Sequence, residues 1–143
     1  AVSDEPSNPY MHGNLGSMYF RDLQYNRAID SLELAVRGGA TEDGVVVEGL
    51  PLDYSMSIME YYSRYGLALA RVNRCNEAVQ VAQAMLQAVP DDETAVFNAE
   101  EMIRICQEFQ VNPPTPTPIL IEGMEDAAPT LTPAPTQTTE QQP

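Results

Sequence analysis

His12-Gly13-Asn14-Leu15-Gly16-Ser17-Met18-Tyr19 returns 50 residues later as Tyr62-Ser63-Arg64-Tyr65-Gly66-Leu67-Ala68-Leu69. Each copy has a ring-bearing residue (His12, Tyr62), then an apolar residue and a glycine (Leu15-Gly16, Tyr65-Gly66), then a further large apolar residue (Tyr19, Leu69). An alanine lies twelve residues past each glycine, Ala28 and Ala78. Leu32 and Ala35 continue the first copy, while Ala82 and Met85 continue the second, which closes at Pro90. Chance seldom holds one offset over so many positions. The spacing puts two helices in each copy, with small residues where helices come close.

Local signals agree with that reading. Asn8-Pro9 supplies a capping side chain followed by proline at the first helical position, predicting a helix to about residue 22. A second helix is expected from Tyr25 to Arg37, ended by Gly38-Gly39 in the left-handed conformation. Asp53 reads as the cap of a third helix running through Val72. From Cys75 to Val89 the residues Ala78, Val79, Ala82, Met85 and Leu86 form a stripe of helical period, which Pro90 stops. Asp91-Asp92-Glu93 then places negative charge at the start of a fifth helix, to about residue 109, where the helix dipole favours it.

This pattern resembles the tetratricopeptide repeat, a helix-turn-helix unit that cannot bury its apolar face alone and stacks on its neighbours. The resemblance implies an all-α solenoid of about five helices over residues 9–111, after an extended segment 1–8. Its packing positions are Leu15, Gly16, Tyr19, Ala28, Tyr62, Gly66, Ala78 and Pro90. Repeat one covers about 9–42 and repeat two about 59–92, separated by an insertion at 43–58. Val96, Ala99 and Ile103 continue the register, but Glu100 stands where the glycine would be, so the fifth helix reads as a terminal cap. In this register Cys75 and Cys106 fall at the same end of adjacent helices. That makes a disulfide geometrically reasonable, the alternative being two buried thiols. A bridge implies an oxidising compartment.

Composition changes after Val111. Residues 112–143 hold eight of the twelve prolines and seven threonines, with no arginine and no aromatic residue, so no packed domain forms there. The stretch reads either as a disordered terminus or as a stiff polyproline spacer held by a surface. Ile119-Leu120-Ile121 is a compact apolar run within it and favours docking. The insertion contains a second such run, Val45-Val46-Val47, between Gly44 and Gly49. The two runs could pair as a ribbon, within one chain or between chains, or each could simply cover apolar helix surface.

Twenty-one acids against seven arginines, with no lysine, give a net charge of −14, which argues against nucleic acid or an anionic membrane as partner. The acidic pairs Asp91-Asp92 and Glu100-Glu101 lack the spacing of a calcium loop, and no metal or cofactor is expected. His12 is the sole histidine and sits at a packing position, so neither zinc binding nor acid–base catalysis is expected. Gly13-x-x-Gly16 precedes no lysine and lies within a helix, unlike a phosphate loop. Tyr54, Tyr61, Tyr62 and Tyr65 crowd one helix, either as core or as an aromatic surface for a peptide or sugar. No stretch reaches transmembrane length.

The start at Ala1 looks like a mature end after signal removal, and the Pro/Thr-rich tail resembles O-glycosylated stalks, with Thr115, Thr117, Thr130, Thr132 and Thr136 as acceptors. These features point to an extracellular or cell-surface protein. Two non-enzymatic functions follow. One is a structural subunit whose open solenoid ends stack head to tail with copies of itself, a tail docking on the neighbour. The other is an adaptor at the cell envelope that binds an extended peptide, with Arg21, Arg64, Arg71 and Arg74 available as carboxylate clamps.

Overall fold

Helix α1 (Pro9–Arg21) begins where its capping signal lies. The Asn8 side chain accepts a hydrogen bond from the Tyr10 N–H at 2.9 Å, and Pro9 occupies the first turn, where no N–H is needed. The computed structural model describes residues 4–113. Within them the chain is all-α, with α1 followed by α2 (Tyr25–Val36), α3 (Met56–Arg71), α4 (Cys75–Ala88) and α5 (Glu93–Val111). A short antiparallel hairpin, β1 (Gly38–Ala40) and β2 (Val46–Glu48), lies between α2 and α3. The Asp92 side chain accepts from the Ala95 N–H at 2.8 Å and so caps α5.

The helices stack as two helical hairpins, α1–α2 and α3–α4, with α5 packed on α3 and α4. Both hairpins turn in the same way. Leu23 (φ 63°) and Asn73 (φ 62°) adopt the left-handed conformation at matching points. The residue after each bonds back to the preceding helix, Gln24 N–H to Tyr19 O at 2.9 Å and Arg74 N–H to Leu69 O at 2.8 Å. The 50-residue offset read from the sequence is thus also an offset in backbone geometry.

Small residues set the helix spacing. Ala28, Ala35, Ala68, Ala78, Ala82 and Ala99 are fully buried, and a Cβ on Gly16 would strike Leu32 of α2. On Gly66 it would strike the Met102 thioether of α5 and approach Val81 of α4. Tyr61 bonds Asn14 and Arg64, three residues on, reaches Ser17, so α1 and α3 run in one direction. Tyr54 meets Asp91 before α3 and α5 begin, and the Cys75–Cys106 bond joins the turn after α3 to the end of α5, so α5 runs that way too. Tyr65, Ile29, Leu32, Leu69, Met85, Met102 and Val89 fill the space between helices. Full burial of a side chain such as Leu69 contributes about 1.5–3 kcal/mol.

Three boundaries differ from the sequence reading. α2 stops at Val36, because Gly38 (φ 80°) and Gly39 (φ 144°) turn the chain directly into β1 rather than only ending the helix. α3 starts at Met56 and not at Asp53, whose carboxylate instead accepts the Ser55 N–H at 2.8 Å and shapes the entry turn. α5 continues to Val111, two residues past the expected 109. The segment between α2 and α3 consequently begins earlier than the expected insertion at 43–58.

Candidate functional site

Phe20 of α1, Met59, Arg64 and Leu67 of α3, and Asn98 of α5 line a groove of about 540 Å³. Met56, 83% exposed, stands at its rim. The groove exists because parallel α1, α3 and α5 present successive turns to the same side while their small residues hold them close. Arg64 is already engaged: it bonds Glu60 at 2.7 Å, reaches Ser17 O at 3.4 Å and sits 5.8 Å from the centre of the Phe20 ring. Of the four arginines proposed as a carboxylate clamp, Arg64 alone lines this groove. Arg74 is tied to Glu77 by two bonds of 2.8 Å, and Arg21 and Arg71 are exposed.

The tyrosines do not form an aromatic surface. Tyr61 and Tyr65 are buried in the core, and the Tyr61 hydroxyl donates to Asn14 Oδ1 at 2.6 Å. Tyr62 is half-buried and donates to Leu50 O at 2.6 Å, anchoring the segment that enters α3. His12, at the matching position of α1, does the same for the first helix through Nε2 and Pro6 O at 2.7 Å. Burial raises the pKa of Tyr61, Tyr62 and Tyr65 above 10.0, with nearby Glu60 adding to it for Tyr61 and Asp53 for Tyr62. Tyr54 remains half exposed and meets the Asp91 N–H at 3.3 Å.

Cys75 and Cys106 are bonded, with Cα atoms 5.7 Å apart, at the end of the stack where α4 begins and α5 nears its end. Among the described residues no helix is long and apolar enough to cross a membrane, and no three His, Cys, Asp or Glu side chains gather as metal ligands. The bonded pair and the lack of a spanning helix there are compatible with an extracellular protein.

Among the described residues one edge of the valine run pairs with a strand that the sequence reading did not foresee. Val46–Glu48 pairs with Gly38–Ala40, Gly39 opposite Val47, because the turn Thr41–Val45, with Gly44 at φ 84°, brings the chain straight back. Val45 lies outside the strand, its N–H on Thr41 Oγ1 at 3.0 Å. Val47 is buried and Val46 is 70% exposed. Ile119, Leu120 and Ile121 and the tail threonines Thr115, Thr117, Thr130, Thr132 and Thr136 lie outside the described residues.

The sequence reading missed which apolar side chains stay exposed. Met18 and Leu23 of the first hairpin are 52% and 70% exposed, and Phe97 and Val111 of α5 are 64% and 76% exposed. These belong to the first and last elements of the stack; Val46, Tyr54 and Met56 between them are exposed as well. Leu23 was detectable as the counterpart of Asn73 in the repeat, whereas Phe97 and Val111 carry no local signal. No protein-family model, curated protein or solved structure matches the chain.

Proposed function

We propose that this chain is a non-enzymatic structural subunit of tetratricopeptide-like build that associates head to tail with copies of itself outside the cell. One observation carries the reading: exposed apolar side chains stand on the first and last elements of the helical stack, Met18 and Leu23 on one and Phe97 and Val111 on the other. Unlike ends that complement each other generate chains, not closed dimers. Copies of charge −14 repel, so association should strengthen as added salt screens them, visible as larger particles in sedimentation between 0.05 and 0.5 M salt, about a threefold fall in Debye length. Phe97→Ser with Val111→Ser should return the assembled protein to monomers, because both residues are exposed and the fold does not need them. Unchanged assembly by that variant would refute end-to-end stacking. Extracellular location and O-glycans on the tail threonines belong to the same proposal. Intact-mass measurement of native protein checks the glycans.

The groove supports a second reading, an adaptor for an extended peptide. Its apolar floor and the acidic Glu60 and Asp92 beside it suit a peptide carrying apolar and basic residues. Met59→Glu should abolish fluorescence-detected binding of such a peptide while leaving self-association intact. A peptide bound equally by the variant rules the groove out.

A further inference from the structure

Among the described residues the register of the β hairpin leaves one side of β2 without a partner. Thr41 N–H bonds Val45 O at 2.9 Å, which makes that a hydrogen-bonded pair. Bonded and non-bonded pairs alternate along an antiparallel ladder. Gly39–Val47 is therefore the next bonded pair, while Ala40–Val46 and Gly38–Glu48 are non-bonded. The N–H and C=O of Val46 and Glu48 consequently point away from β1. No backbone hydrogen bond among the described residues uses them. Val47, only 2% exposed, pins the strand to the helices, so the edge is held in place with Val46 on its open face. An edge of this kind is a template for another strand.

Thirty residues follow Pro113, and among them Ile119-Leu120-Ile121 is the one β-favouring apolar run. Pro118 sits immediately before it, the position at which a strand tolerates proline. Chain length decides which copy supplies it. The hairpin follows the C-terminus of α2 and packs on that helix, and α3 lies between α2 and α5. Because α3 and α5 are parallel, α5 carries the chain away from the hairpin over its 19 residues, about 28 Å. From Pro113 to Ile119 the chain reaches at most about 22 Å, which does not cover that return and the width of the intervening helix.

We infer that the outer edge of β2, Val46–Glu48, accepts Ile119–Ile121 of a second copy as a third strand. Backbone hydrogen bonds to Val46 and Glu48 hold the donor, and its isoleucines cover the exposed Val46. The inference rests on the self-association reading, since it needs copies to meet, but it assigns a contact separate from the stacked ends.

Two full-length variants test it. Val46→Pro removes the outward N–H and leaves the bonded pairs to β1 intact; Ile119→Ser with Leu120→Ser and Ile121→Ser removes the donor. At concentrations where the parent assembles, each variant alone should need at least tenfold more protein to do so. Mixing them should give pairs that grow no further, because one supplies a working donor and the other a working edge. The parent's assembly should also slow amide exchange at Val46 and Glu48 at least tenfold, a readout independent of any variant's folding. If the parent assembles and Val46→Pro assembles equally, the strand is wrong and stacking stands. If only the tail variant fails, the tail docks elsewhere and the edge is again wrong. A parent that stays monomeric overturns both.

Discussion

The α1–α2 and α3–α4 hairpins share one backbone plan yet are secured differently. Both turn through a left-handed residue, both bring a glycine against a neighbouring helix, and both tie a ring to the carbonyl of the segment leading in. The second hairpin lies between neighbours on both sides, so Gly66 faces α4 and α5 together, and a disulfide joins α4 to α5. The first is terminal: Gly16 faces only its own partner helix, and Leu23 occupies a left-handed position that Asn73 fills in the other. An equivalent motif thus acquires different energetics from its place in the stack. A terminal unit is left with apolar surface and local strain that an internal one is not.

Breaking the disulfide should abolish the advantage of the second hairpin. Cys75→Ser with Cys106→Ser opens a loop of sequence separation 31, and urea denaturation should show a loss of about 3–4 kcal/mol. Amide exchange should rise in α5 well before it rises in α1 and α2. Alanine at the two glycines sharpens the contrast. At Gly16 the new methyl meets the branched carbon and backbone nitrogen of Leu32, which cannot swing aside, so Gly16→Ala should cost about 1–3 kcal/mol. At Gly66 the main obstacle is the flexible end of Met102, and the cost should be smaller, offset by alanine's better helix propensity of about 1 kcal/mol.

Alkaline titration probes the seam between the hairpins, where Tyr61, Tyr62 and Tyr65 lie. Their folded pKa values are raised above 10.0 by burial, so the neutral phenol is the form that the fold favours. That contribution is fully present below pH 10 and is lost as pH rises through the folded values. Tyrosinate absorbance should therefore rise together with loss of helical circular dichroism, not ahead of it. The smallest effect concerns the turns. Leu23→Asn should stabilise by about 0.5–1 kcal/mol, and Asn73→Leu should destabilise by a similar amount, because asparagine tolerates a positive φ that leucine resists.

The helices were legible because their determinants are local. Asn8 and Asp92 cap through side chains two and three residues from the groups they satisfy, and the Ala78, Ala82 and Met85 stripe states its buried face outright. The valine run was legible as a strand but its partner was not. Strand pairing is settled by which edge is brought alongside, and here Gly38 and Gly39 lead the chain out of α2 into β1 and the Thr41–Val45 turn, with Gly44 at φ 84°, folds β2 back on it. The tyrosines show the same limit. Three of the four lie on α3 and Tyr54 precedes it, and only the packing of α1 against α3 buries Tyr61 while Tyr54 stays exposed.

By itself the sequence determined an all-α chain of repeated helical hairpins, the caps that bound them and the small residues at which helices approach. Periodicity and capping act over a few residues and need no knowledge of distant neighbours. The groove, the outward edge of β2 and the exposed apolar side chains of the terminal helices were decided only by the tertiary structure. Each depends on how far one helix stands from another and on which surfaces that distance leaves uncovered.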